Sequence, residues 1–128
     1  MRLIDQFKYI KQRSDFYPAI DDAIARTFAL LKQAPNDPTL NSILTQLDYI
    51  KRMTAGGREP TLDERTSTRI GVRLLREFEP AQTDEIEDWA NVCGEVEAYF
   101  RDWLDDATFQ TIDEDDLPSI GWADEAPR

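Results

Sequence analysis

The 128 residues carry a net charge of −11, with 41% hydrophobic and 32% charged side chains and a single cysteine. A chain of this length forms one domain with its own core; its composition is globular rather than disordered, and one thiol excludes an internal disulfide framework. No apolar run approaches the roughly 20 residues of a membrane span and residues 1–6 hold no signal-peptide core, so the expected location is the cytoplasm, with no membrane contact.

Helical periodicity dominates, and no segment alternates with strand composition. The predicted fold is all-α: a compact bundle of about five helices over residues 1–104, then an acidic, partly extended C-terminal tail over residues 105–128. Leu3, Ile4, Phe7 and Ile10 predict a short first helix, interrupted at residues 14–17. Pro18 suits the first position of a second helix, with Ile20, Ile24, Phe28 and Leu31 facing inward. Asp37 as N-cap and Pro38 at the next position start a third helix. Its stripe is Leu40, Ile43, Leu44, Leu47 and Ile50, and Gly56-Gly57 ends it.

Thr61-Leu62-Asp63-Glu64 has the spacing of a capping box, in which hydroxyl and carboxylate each satisfy a free backbone N–H. A fourth helix is expected from there through Ile70, Leu74, Leu75 and Phe78 to a stop near Pro80. Thr83 caps a long fifth helix, with Asp84 and Glu85 in the first turn, where acids favour the positive end of the dipole. Ile86, Trp89, Ala90, Cys93, Val96, Phe100, Trp103 and Leu104 form its stripe. From Asp105 onward the periodicity fails.

The charge is unevenly placed. Residues 1–83 carry 13 Lys and Arg against 11 acids, a net +2, whereas residues 84–128 carry 15 acids against Arg101 and Arg128, a net −13. Solubility accounts for some of this. The asymmetry favours a basic partner and repels nucleic acid and membrane phosphate. The candidate partner-binding residues are Tyr99, off the apolar stripe, and the acids Asp102, Asp105, Asp106, Asp113, Glu114, Asp115 and Asp116. Trp122 joins them as a lone aromatic in the tail that either anchors a partner or docks on its own domain.

Arg65, Arg69 and Arg73 recur at i, i+4 and i+8, where like charges repel. Neutralisation by the acid-rich fifth helix is the favoured arrangement, and an anionic group of a partner the alternative.

Catalytic chemistry finds little purchase. There is no histidine, the commonest general base and metal ligand. Cys93 falls on the apolar stripe and reads as core. Gly56-Gly57 lacks the spacing of a phosphate loop, and the acids at 113–116 lack the glycine and spacing of a calcium loop. The sequence therefore predicts no enzyme activity, no cofactor and no metal, and the stripe edges leave room for a homodimer.

Three segments, Ile20-Asp21-Asp22-Ala23-Ile24, Gln46-Leu47-Asp48-Tyr49-Ile50-Lys51-Arg52 and Ile70-Gly71-Val72-Arg73-Leu74-Leu75-Arg76-Glu77-Phe78-Glu79, resemble the small helical immunity proteins of bacterial type VI secretion. Within these the chain looks most like the family that neutralises an NAD(P)-hydrolysing effector, over about residues 20–103. The resemblance implies a non-catalytic immunity protein that binds a cognate antibacterial toxin in the producing cell and blocks its active site. The toxin would be nucleotide- or NAD-targeting, with a basic nucleotide-binding cleft. Residues 1–17 and 105–128 lie outside the resemblance. The rival expectation is an acidic helical adaptor or chaperone that holds a basic protein segment. Truncation after Leu104 is expected to leave the fold intact and weaken partner binding.

Overall fold

The computed structural model describes residues 1–78 and 83–117. Its helices are α1 (Arg13–Gln33), α2 (Pro38–Met53), the single turn α3 (Leu62–Arg65), α4 (Ile70–Phe78), α5 (Asp84–Asp102) and α6 (Asp106–Thr111). Tight 3-10 turns occur at Leu3–Gln6, Ala55–Gly57 and Glu114–Asp116. There is no strand among the described residues; an isolated bridge pairs Arg2 with Asp113.

Contacts along the helices fix their directions. Arg13, at the start of α1, stacks on Trp103 just past the end of α5, while Thr27, further along α1, accepts a bond from Trp89 of early α5. These two helices are therefore antiparallel. Lys51 of late α2 pairs with Asp21 of early α1 at 2.8 Å. Glu97 meets the start of α4, and Phe78 at its end packs on Trp89. The four longer helices thus run alternately up and down, with α1 against α2 and α5, and α4 against α2 and α5.

The core follows from the apolar spacing. Phe16, Ala19, Ile20, Ala23 and Leu31 of α1 face Leu40, Ile43, Leu47 and Ile50 of α2 and Trp89, Val92, Cys93, Val96 and Phe100 of α5. Local capping sets several ends as the sequence predicts. Asp37 accepts the amides of Thr39 and Leu40, Thr61 and Glu64 complete their capping box, and Thr83 accepts the amide of Ile86. Gly56 and Gly57, at φ 64° and 80°, turn the chain out of α2.

The structure departs from the sequence pattern at several places. Residues 14–17 do not interrupt a helix: α1 begins at Arg13 and carries Pro18 as its sixth residue, while only Leu3–Gln6 of the expected first helix coils, as a 3-10 turn. Phe28 is 53% exposed, because Thr27 takes the inward position and hydrogen-bonds Trp89. The expected fourth helix is two, α3 and α4, separated at residues 66–69. Finally, residues 105–117 fold back on the N-terminal segment. Phe109 of α6 is buried and packs edge-on against Phe7 and Tyr99, and Leu3 donates its N–H to the Ile112 carbonyl at 3.0 Å. Packing of that kind ties α6 to the bundle, against the expectation that the fold is complete at Leu104. Pro80, the expected stop of the fourth helix, and the acidic residues past 117 lie outside the described residues.

Candidate protein-binding surface

Two glutamates of α5 organise the surface around it. Glu97 is buried, and its carboxylate accepts the backbone N–H of Ile70 at 2.6 Å and of Gly71 at 2.8 Å. It thereby caps the start of α4, where free amides and the dipole favour an anion. Glycine at 71 permits the approach, since a Cβ there would lie 3.2 Å from Glu97 Oε1. Glu95 accepts the amides of Lys8, Tyr9 and Ile10 at 2.7, 2.8 and 3.3 Å, strapping the N-terminal segment across α5. Between strap and helix runs an open groove of about 440 Å³, lined by Gln6, Phe7 and Lys8 on one side and Ala90, Asn91, Gly94, Glu95 and Ala98 on the other.

Of the expected partner-binding residues, Tyr99, Asp102, Asp105 and Asp106 sit where α5 meets α6, and residues 113–116 lie past α6 beside the N-terminal segment. Tyr99 is a correction: it is 1% exposed, not on the surface. Helix α5 is covered on more sides than one stripe allows. The Tyr99 ring lies among Phe16, Trp103 and Phe109, and its hydroxyl accepts from Arg13 Nε and donates to the Leu104 carbonyl, both at 2.9 Å. Asp102 lies beside Arg101 at 3.6 Å with a side chain only 10% exposed, and burial pushes its carboxyl above the ordinary range.

The other acids are engaged by backbone. Asp105 caps α6 through the Thr108 amide, which holds its carboxyl below the ordinary range. Asp106 accepts the Arg13 amide at 2.6 Å. Asp113 accepts the Asp115 amide and the N-terminal ammonium, the amide being the larger cause of its lowered carboxyl pKa. Glu114 accepts from the Gln6 side-chain amide. Asp115 and Asp116 are exposed. Trp122 lies outside the described residues.

The three arginines do not form one row, because α3 and α4 are separate helices. Arg65 donates to the carbonyls of Arg101 and Asp102 at 2.8 and 3.1 Å, placing its cation at the negative end of α5. The expected internal neutralisation is thus realised for Arg65 mainly by carbonyls. Arg69 donates to the carbonyls of Thr66 and Thr68, both at 2.8 Å, and its own amide bonds the Gln46 side chain. Arg73 is half-buried on α4, and its Nε is a buried donor without an acceptor among the described residues.

Sequence reasoning missed Glu95 and Glu97, whose partners are about 26 or more residues away and leave no local signal. It also missed the exposed apolar side chains Phe28 and Leu75, the latter 64% exposed and followed by exposed Arg76 and Glu77. Cys93 is buried as expected, and burial pushes its thiol up to about 12, so it stays protonated at neutral pH. Among the described residues no group of three Cys, Asp or Glu is placed to hold a metal ion, and no helix is long and apolar enough to cross a membrane.

Residues 16–109 match the model of the Tsi6 family. The matched stretch runs from Phe16 in the first turns of α1 to Phe109 of α6, and so takes in the whole core of the bundle. No curated protein and no solved structure matches the chain.

Proposed function

Since the chain belongs to the Tsi6 family of type VI secretion immunity proteins, we propose that it neutralises one cognate toxin domain in the cytoplasm of the producing cell by blocking that domain's active site. Family membership is the observation that carries this. The family's role is to bind a toxin protein, and the concentration of acids in α5 and the residues after it suits a basic partner. The proposed toxin attacks NAD or a related nucleotide. An enzyme of that kind holds its substrate's phosphates with basic residues, and acids opposite them speed association and reject wrong partners.

The protein's own part is binding and occlusion, without turnover. Cys93 is protonated in the core, and most of the acids between 102 and 114 are already engaged in capping helices and holding the N-terminal segment. Asp115 and Asp116, with the acids of the first turns of α5, remain to face a partner.

Co-expression with the toxin domain encoded by the adjacent gene tests the proposal. Growth is restored and the two proteins purify together as a complex that withstands salt. Binding to many basic proteins, lost at moderate salt, would instead identify an acidic adaptor or chaperone.

A further inference from the structure

The groove beside α5 has a floor of short side chains. Asn91, Gly94 and Ala98 form it at helical spacing on the outer side of the helix, and Asp84 and Glu87 continue the same face towards the start of α5. Glu95 is turned aside to hold the strap. A Cβ built on Gly94 meets nothing within 4 Å, so the space above it is open. Small residues of this kind let another backbone approach closely. Acids stand at both ends: exposed Asp84, Glu85 and Glu87 at the start of α5, and at the other the Glu114–Asp116 turn, tied to the groove wall through the bond from Gln6 to Glu114.

We propose that this groove, in a role resting on the toxin-binding function above, receives a segment of the toxin that carries a small or apolar residue between lysines or arginines. Charge selects this occupant. A second copy of the chain would bring acid against acid in either orientation, because both ends of the groove are negative, and a nucleic acid would be repelled at both ends, with Lys8 the one cation of the lining among the described residues. A segment with basic flanks meets an acid at each end, and its central residue lies over Gly94, beside the short Ala90, Asn91 and Ala98 side chains of α5 and opposite the wall formed by Gln6, Phe7 and Lys8.

The test is the affinity of the full chain for the purified toxin domain encoded by the adjacent gene, measured by calorimetry for wild type, Gly94→Ala, Gly94→Trp and the double charge reversal Asp84→Lys/Glu87→Lys. Gly94→Ala keeps wild-type affinity and raises Tm by a few degrees, since the position is helical and open. Gly94→Trp fills the groove and weakens binding about 30-fold or more, the loss typical of a binding hot spot, with Tm and helical circular dichroism unchanged. The charge reversal, at exposed positions, gives a comparable loss whether or not Gly94→Trp folds. Wild-type affinity in Gly94→Trp and the reversal overturns the groove assignment alone. A wild-type chain that binds no toxin overturns the immunity role and the groove with it. Sedimentation of the free chain completes the test: a dimer that Gly94→Trp dissociates would give the groove to a second copy and overturn the proposal.

Discussion

Glu97 has two backbone amides and a helix dipole where a buried carboxylate usually has a cation. Glu97→Ala leaves those amides without an acceptor and should cost about 1–3 kcal/mol in a urea titration. Glu97→Gln should recover little, because an amide offers one acceptor oxygen in place of two. Asp102 and Glu64 bear oppositely on pH. Burial raises the folded-state pKa of Asp102, so its ionisation favours the unfolded chain, and stability falls as pH rises through the carboxylate range. Glu64, held down to about 2 chiefly by Arg58, contributes stability that is full above its unfolded value and is lost as pH falls towards 2. Asp102→Asn should therefore raise Tm at pH 7, with the gain shrinking as pH is lowered into the carboxylate range. A lower Tm at pH 7 would mean that Arg101 and Arg65 more than offset the burial. Trp103 is the one non-glycine at positive φ among the described residues, at 41° where helix ends usually place glycine. Its ring, packed on Phe16, Tyr99 and Phe100 and stacked by Arg13, offsets that strain.

At the scale of elements, ends set by neighbouring residues were legible and ends set by distant ones were not. The caps at Asp37, Thr61 and Thr83 lie within three residues of the amides they serve. The start of α4 is set by Glu97 and by the Gln46 side chain, which takes the Arg69 amide, so the pattern there read as one continuous helix. Pro18 misled because proline is favoured in the first turn but tolerated further in when packing compensates, and Phe16 and Ala19 on either side of it are buried. Tyr99 was misplaced because a single stripe describes a helix covered on one side, and α5 is covered by α1, α4 and the N-terminal strap. The same strap explains α6. Its one buried residue, Phe109, has no periodic companions in sequence, and its burial comes from Phe7, about 100 positions earlier. Truncation after Leu104 should therefore destabilise the bundle. Phe109→Ala alone should cost about 3–5 kcal/mol, whereas a chain ending at Leu117 keeps all of this packing and should melt close to the full-length Tm.

For the molecule as a whole, the missing histidine and the absence of a catalytic motif favoured a binding protein, and charge placement pointed to its acidic third. The fold refines that placement. Much of the acidity between Asp102 and Glu114 is spent on helix caps and on the N-terminal strap, which leaves the first turns of α5 together with Asp115 and Asp116 as the field a partner meets. Association with a basic toxin should slow markedly between low and physiological salt, while dissociation, governed by the desolvated contacts, changes little. The most direct test of the immunity role is a titration of the purified cognate toxin's turnover with this chain. Turnover should fall linearly to zero at one equivalent, as tight occlusion of the active site requires. Toxin that keeps turning over at saturating concentrations of the chain would contradict the account.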